Sequence, residues 1–594
     1  MTAPLTFAAL RGAYAEARTT PRRLIAELRE RAAQLDGEYR LFIHLLDQAE
    51  LEPYLARLDG ADPASLPLYG LPFAIKDNID LAAVPTTAGC PDFAYLPAQS
   101  ATVVQRLLEL GAIPLGKTNL DQFATGLNGT RSPYGECRNA VLPEYISGGS
   151  SSGSAVALAL GLCAFALGTD TAGSGRVPAA LNGLVGTKPT CGILSARGMV
   201  PACRSLDTIS LFTARAEDAS ELLGHLAALP PDEAYGRHNA AWNGRAGFGA
   251  PRPFRFGVPR AADLEWLGCE QGPQLFLQAV QALEAIGGTP VEIDFAPFLE
   301  AARMVYDGPW VAERHAAVGD FIASRPDAVF PVVGKIIGEA GALSASGYFA
   351  AEARRRELKQ ACDALLQDVD LALSPTIARA FTREQLRTEP IARNSELGIY
   401  TNFMNLLDYA AVAVPTGALA DGLPWGVSLF GRAFTDQYLL SVAHALQLHL
   451  EGAGAAAAAP AAHDHASVVV CGAHLAGQPL NWQLAGRGGS LLRATRTAAR
   501  YRLHALAGGP PLRPGLVRSD DGAAIEVEVW RLPKTELGHF LLGIPAPLGL
   551  GKVELEDGSW ETGFICEPCG LAGARDITGY GGWRAFLQAG GGAG

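Results

Sequence analysis

Short apolar runs alternate with amphipathic stretches along the first three-quarters of the chain. LPFAIK (71–76), AIPLGK (112–117), FRFGVP (254–259), LALSP (371–375) and AAVAVP (410–415) are continuous apolar segments with the length of buried strands. Between them, TVVQRLLELG (102–111) and AVQALEAIG (279–287) carry apolar residues at helical spacing. This alternation predicts an α/β fold in which crossover helices join the strands of a buried sheet. DQYLLSVAHALQLHLE (436–451) has the helical period and is expected to close a first domain over 1–451. GAGAAAAAPAAHDHA (452–466) offers no face to a core and reads as a linker. SVVVCGAHL (467–475) then opens a second domain, 467–588, rich in strand and turn signals: AIEVEVWRLP (524–533), the Asp557–Gly558 turn and GGP (508–510). That composition predicts an α+β or barrel-like domain, with residues 589–594 (AGGGAG) as a disordered tail.

Composition narrows the function classes. At 594 residues the chain exceeds a single ordinary core, and none of its apolar runs has the roughly 18 residues needed to cross a bilayer. A net charge of −12 with no lysine or arginine cluster argues against nucleic acid as a partner, and Arg354–Arg356 read as a solvated helix face. The first residues, MTAPLTFAALRGAYAEARTTPRR, read as an arginine-containing helix rather than a secretion signal. The ten cysteines lack disulfide-like spacing, which suits a reducing compartment, so a cytoplasmic enzyme without a membrane partner is expected. Cys566 and Cys569 have C-x-x-C spacing but no second ligand pair, and read as ordinary thiols; no metal is expected.

Candidate chemistry is concentrated in SGGSSSGSAVALALGLCAFALGTDTAGSGRVP (147–178), which places Ser150 and Ser174 in glycine-rich turns on either side of an apolar segment. Such turns let backbone N–H groups converge on an oxyanion beside a serine, the arrangement acyl transfer needs. Upstream, Lys76 ends the strand-like run of GLPFAIKDNID, where burial would favour the neutral amine that a general base requires. Asp77 would point to the opposite face of the strand. Lys188 is the rival base, in a segment that reads as a packing turn.

These segments resemble the amidase signature family, whose catalytic unit is Ser–cisSer–Lys; the two serines of its motif lie 24 residues apart, as Ser150 and Ser174 do. The resemblance continues through GLVGTKPTCGILS (183–195), LSPT (373–376) and NLLDYAAVAVPTG (405–417). It implies a large mixed β-sheet covered by helices. It also implies Ser174 as nucleophile, an oxyanion hole from the N–H groups of Thr171, Ala172, Gly173 and Ser174, and Ser150, after a cis Gly149–Ser150 peptide, relaying the proton to Lys76. Ser151, Ser152, Ser154 and Asp170 would support the turns, and Arg176 would form a structural ion pair. No organic cofactor follows from this chemistry.

Substrate identity rests on a different region. Gly308–Pro309 separates two helical stretches that bring Tyr306 and Arg314 together, and an arginine fork suits a planar carboxylate. In the allophanate hydrolase branch of the family a tyrosine and an arginine at this spacing clamp the substrate carboxylate. Gly126, in FATGLNGTRSPYG, falls where that branch brings main chain against substrate, its missing side chain leaving room for a small molecule. VVVCGAHLAGQPLNWQL (468–484), ATRTAARYRLHAL (494–506), GIPAPLGLG (543–551) and DITGYGGWRAFL (576–587) resemble the C-terminal domain of the same branch, which implies a γ-glutamyl cyclotransferase-like barrel with helices. No glutamate stands after ELGHFLLGIP where a cyclotransferase would carry its base.

The resemblance implies hydrolysis of allophanate to ammonia and N-carboxycarbamate, which loses carbon dioxide. His474 is the second-domain candidate for the later step, unless the family histidine aligns with Trp482 and has been lost. The substrate would come from a separate urea carboxylase or from s-triazine or biuret breakdown, and a homodimer is implied. The alternatives are a broad-specificity amidase with a structural or dimerising second domain, and an amidotransferase subunit working with a tRNA-binding partner.

Overall fold

The computed structural model describes residues 5–227, 233–249, 251, 253–452, 465–485, 487, 489–508 and 511–591. The chain divides into two compact units, one built from residues up to 459 and one from 460 onward together with Ala240–Trp242.

The first unit is organised by an eleven-stranded mixed sheet. Its strands are β1 (Phe42–Leu45), β2 (Pro72–Lys76), β3 (Ile113–Thr118), β4 (Phe165–Asp170), β5 (Val185–Lys188), β6 (Thr208–Thr213), β7 (Phe254–Pro259), β8 (Gly288–Ile293), β9 (Leu371–Pro375), β10 (Tyr409–Ala418) and β11 (Pro424–Arg432). They lie in the order β1-β3-β2-β4-β6-β5-β10-β11-β9-β7-β8. β3, β2 and β4 are parallel neighbours, and every residue of these three strands is buried, the polar Lys76, Lys117, Thr118, Thr169 and Asp170 at their carboxyl ends included. Phe73 of β2 stacks on Phe165 of β4 with ring centroids 5.1 Å apart, fixing the two strands whose carboxyl ends carry the candidate chemistry. Helices Thr102–Glu109, Gly272–Ala285 and Asp436–Leu450 form where the helical period predicts them. The helix Ser152–Ala159 lies inside the unit, buried from Ser152 to Leu158, with Ala155 to Leu158 fully so.

The second unit is α+β. A five-stranded sheet is formed by β12 (His465–Val470), β13 (Ser490–Arg496), β16 (Glu526–Pro533), β17 (Leu548–Glu554) and β18 (Trp560–Cys566), in the order β13-β16-β12-β18-β17. β14 (Tyr501–Ala505), β15 (Pro514–Arg518) and β19 (Arg575–Asp576) make a three-stranded sheet. The larger sheet curls. Thr497, just past β13, bridges Leu555, just past β17, and the Ala498 N–H donates to the Glu554 carbonyl at 2.9 Å, so the two outermost strands meet at one end as a barrel-like domain requires. The expected Asp557–Gly558 turn joins β17 to β18, with Gly558 at φ +81°.

Three sequence boundaries need adjustment. β12 begins at His465 rather than after residue 466, because main-chain pairing with β16 continues back past the valine run to His465, opposite Pro533. The rest of the expected linker from 453 to 464 lies outside the described residues, as do Gly509 and Pro510 of the GGP turn. Of the expected tail, residues 589–591 belong to a wide helical turn, Leu587–Gly591, that continues the buried helix Trp583–Phe586, and 592–594 lie outside the described residues.

Among the described residues no helix is long and apolar enough to cross a membrane, and no group of three or more His, Cys, Asp or Glu side chains is placed to hold a metal. All ten cysteines are free; Cys566 is buried and Cys569 exposed.

Candidate active site

Lys76 is the last residue of β2 and is fully buried. Its Nζ lies 2.8 Å from Ser150 Oγ and 2.7 Å from Thr169 Oγ1. Burial pushes the Lys76 ammonium down to about 7, against the opposing pull of Asp121, Asp170 and Asp207. Asp77 turns away, as strand alternation demands, and pairs with Lys117 at 2.9 Å. Lys188 is spent elsewhere, donating to the Pro189 carbonyl at 2.9 Å.

The Gly149–Ser150 peptide is cis. The turn before it leaves no room for side chains: a Cβ on Gly149 would lie 2.2 Å from Asp121 Oδ2 and 2.6 Å from the Gly129 nitrogen. The serines that follow tie the turn to the sheet. Ser151 Oγ donates to the Thr169 carbonyl at 3.2 Å, Ser152 Oγ to the Asn119 carbonyl at 3.3 Å and Ser154 Oγ to the Leu167 carbonyl at 2.9 Å.

β4 ends at Asp170, whose carboxylate organises the second turn. It accepts the Gly173 and Gly175 N–H groups at 2.9 and 3.0 Å and a fork from Arg176, Nε at 2.9 Å and Nη2 at 2.9 Å, in a fully buried ion pair. Burial alone would raise the Asp170 carboxyl; the Arg176 guanidinium outweighs it and holds the group below the usual range. Arg176 continues to Asn405 Oδ1 at 2.9 Å and the Thr401 carbonyl at 3.0 Å, and Asn405 Nδ2 returns to the Asp170 carbonyl at 2.8 Å. Thr171 Oγ1 donates to Asp207, a buried carboxylate that burial pushes up.

This network corrects the expected oxyanion hole. The Gly173 N–H is committed to Asp170 because the turn, with Gly173 at φ +143°, winds around that carboxylate; the N–H groups of Thr171, Ala172 and Ser174 are the expected donors it leaves.

Ser174 is 3% exposed, and its Oγ donates to the Gly126 carbonyl at 3.5 Å; no hydrogen bond joins it to Ser150. Main chain at Gly126 therefore does stand beside Ser174, but the reason for glycine differs from the expected one. A Cβ there would lie 2.5 Å from Asp121 Oδ2, so the space is taken by Asp121 rather than left for a ligand. Asp121 is the hub of this loop, accepting the N–H groups of Asn128 at 3.2 Å, Gly129 at 3.0 Å and Arg131 at 2.9 Å.

Tyr306 lies in the last turn of the helix Ala296–Asp307 and Arg314 in the first turns of Val311–Ser324, with Gly308 and Pro309 making the break between them. The Arg314 Cζ sits 5.9 Å from the Tyr306 ring centroid. Arg314 is 2% exposed; Nη1 donates to the Ala124 carbonyl and to Thr125 Oγ1, both at 3.1 Å, while its buried Nη2 has no hydrogen-bond partner among the described residues. Burial raises the Tyr306 phenol. A cavity of about 330 Å³ opens beyond Asp207, with Trp310 and Asn405 in its walls, and contains none of Lys76, Ser150 and Ser174.

In the second unit, His474 stacks on Phe564 with centroids 4.9 Å apart, meets Phe540 edge-on at 5.4 Å and is paired through Nε2 with Gln483 at 2.9 Å. Burial lowers its pKa. Trp482 is 63% exposed.

The arrangement brings together a neutralisable buried lysine, a serine on its amine, a second serine in a turn of N–H donors, and an arginine with an unspent N–H. Sequence reading missed Thr169, the second hydroxyl on Lys76, as well as Asp121 and Asn405. The kcat/KM of an enzyme whose base is Lys76 is expected to rise with pH through about 7, with unit slope below and a plateau above, because only the neutral amine accepts a proton. A pH–rate profile checks this, and a profile flat from pH 6 to 8 would exclude Lys76 as base.

Residues 23–440 match the Amidase family model and residues 466–588 the allophanate hydrolase C-terminal domain. Urea amidolyase of Saccharomyces cerevisiae is 44% identical over 88% of this chain, which spans 30% of that protein. A glutamyl-tRNA(Gln) amidotransferase subunit of Exiguobacterium sibiricum is 33% identical over 72% of this chain and 94% of its own length. The solved structure of Kluyveromyces lactis allophanate hydrolase superposes with a TM-score of 0.73 at 37% identity, covering 98% of this chain and 99% of that one.

Proposed function

Since this chain belongs to the amidase family and ends in an allophanate hydrolase C-terminal domain, we propose that it hydrolyses allophanate (urea-1-carboxylate) through a Ser–cisSer–Lys acyl-enzyme mechanism. The observation that carries the choice of substrate is the buried Nη2 of Arg314, unpartnered within a site that also holds Ser174 and Gly126. A buried guanidinium with an open donor fits an anionic amide and is poorly matched to a neutral one.

In this reading Arg314 and Tyr306 hold the substrate carboxylate while the Gly126 carbonyl borders the reacting amide. Neutral Lys76 accepts the Ser174 proton through Ser150 as Ser174 Oγ bonds to the terminal amide carbon. The N–H groups of Thr171, Ala172 and Ser174 bind the oxyanion. The proton returns to the leaving nitrogen, ammonia departs, and water cleaves the acyl-enzyme to N-carboxycarbamate. The Ser150–Ser174 contact would close as the hydroxyl turns from Gly126 toward its base, since catalytic hydrogen bonds often tighten only with substrate in place.

N-carboxycarbamate then loses carbon dioxide. His474, held largely neutral between two aromatic rings, is the proposed proton carrier for that step in the second unit. Allophanate would be supplied by urea carboxylation, carried by a separate protein or a further segment of a longer one, or by s-triazine or biuret breakdown. The free thiols suit a reducing cytoplasm, and the family resemblance supports a homodimer.

Ammonia release from allophanate, malonamate, urea and propionamide tests the assignment. Rapid release from allophanate with none from propionamide is expected. Turnover of propionamide without allophanate would replace this reading with a broad-specificity amidase.

A further inference from the structure

The Ala124–Gly126 segment, whose last carbonyl faces Ser174, is gripped by two guanidinium groups. Arg314 donates Nη1 to the Ala124 carbonyl and Thr125 Oγ1. Arg131, further along the same loop, folds back to donate Nη1 to the Thr125 carbonyl at 2.9 Å and Nη2 to the Pro390 carbonyl at 2.5 Å. Both side chains are 2% exposed, and neither lies within ion-pair distance of a carboxylate among the described residues. Asp121 is the acid within electrostatic reach of Arg131 and Asp207 the acid within reach of Arg314, but neither makes an ion-pair contact: the Asp121 oxygens take the N–H groups of Asn128, Gly129 and Arg131, and those of Asp207 take Thr171 Oγ1 and the N–H groups of Ala202 and Cys203. Each guanidinium keeps one buried nitrogen without a hydrogen-bond partner among the described residues: Nη2 of Arg314 and Nε of Arg131.

Two cations buried this deeply without carboxylate partners are strongly disfavoured unless something anionic completes them. The carboxylate of allophanate answers Arg314. The reaction then creates a second negative charge: attack on the amide carbon gives a tetrahedral oxyanion beside the existing carboxylate while Lys76 holds the Ser174 proton, and hydrolysis of the acyl-enzyme leaves a dicarboxylate once Lys76 is neutral again. We propose that Arg131 is a positioning residue that supplies the second permanent positive charge of the active site, acting through the Thr125–Gly126 segment, so that affinity climbs from neutral to monoanionic to dianionic ligands. This rests on the allophanate reading, because only an anionic substrate becomes dianionic during turnover.

The test is calorimetric binding of malonamide, malonamate and malonate at pH 8 to the Ser174→Ala protein, with and without Arg131→Gln. With Arg131 present, each added charge is expected to tighten binding about tenfold; Arg131→Gln should shrink the step from malonamate to malonate to about threefold or less while keeping the step from malonamide to malonamate that Arg314 provides. Equal weakening of all three ligands would make Arg131 purely structural and overturn the proposal, as would an unchanged series. Should Arg131→Gln fail to fold, Arg131→Lys serves: it keeps the charge but cannot span Thr125 and Pro390, so the grading should survive at lower affinity, and its disappearance would overturn the proposal. Malonate binding no tighter than malonamate to the protein with Arg131 intact would do the same. Allophanate turnover by the unaltered enzyme is scored separately: its absence defeats the substrate reading, whereas turnover with an ungraded series defeats only the role of Arg131.

Discussion

Ser174→Ala is expected to lower kcat on allophanate by about 10⁵-fold or more, leaving only the rate that binding and oxyanion stabilisation sustain. Neither hydroxyl on the Lys76 amine can replace the lost one. Ser150 is tied to Lys76 at 2.8 Å and Thr169 occupies the other side of the same amine at 2.7 Å, so neither is free to attack. The fold should be indifferent to the change. The hydrogen bond of the Ser174 side chain, to the Gly126 carbonyl, is long at 3.5 Å, while the turn is held by Asp170 and Arg176. Steady-state ammonia release, with a thermal melt as control, decides the matter: a folded variant within tenfold of the parent would remove Ser174 from the mechanism.

Arg314→Met is expected to cut kcat/KM for allophanate by about 10²–10⁴, since removing one partner of a buried charged hydrogen bond costs about 3–5 kcal/mol. Part of that loss will be shared by every substrate, because Arg314 also anchors the Ala124 carbonyl and Thr125 Oγ1 beside Gly126. The informative quantity is therefore the difference between allophanate and a neutral amide of similar size, such as malonamide. Allophanate should lose about tenfold more or beyond, the share attributable to its carboxylate. Equal losses on both would reduce Arg314 to a loop anchor and leave the anionic substrate without its principal contact.

The parts of this molecule legible in the sequence are those encoded locally. Strands β2, β3, β7, β9 and β10 and the helix Asp436–Leu450 form where unbroken apolar runs or a helical period predict them, because burial on both faces or on one stripe writes itself into consecutive residues. Ser150, Ser174 and Lys76 were legible because glycine turns and a strand-terminal lysine are short-range patterns. Thr169 was not: its hydroxyl reaches Lys76 only because β4 lies parallel to β2 with Ile75 opposite Leu167, a register set by packing rather than by neighbouring residues. Asp121 escaped for a similar reason, since its partners are backbone groups of a loop whose path no periodicity describes. Gly126 and Gly173 show the reverse limit. Sequence flagged both as places where main chain matters, yet whether an open position serves a ligand or an aspartate depends on what folds against it.

The curling of the five-stranded sheet bears on how the protein behaves when concentrated. Strand β13 presents Leu491 and Leu492, 44% and 47% exposed, on an outer strand where a flat sheet would offer a template for adding strands from other chains. Drawing the end of β13 onto the end of β17 through Thr497 and Leu555 occupies part of that template within the same molecule. Arg493, ion-paired across the seam with Asp557 at 2.8 Å, adds charge to the strand. A domain with apolar residues on its rim is in this way guarded against sheet-to-sheet polymerisation, and loosening the seam would turn a solubility device into a seed for aggregation.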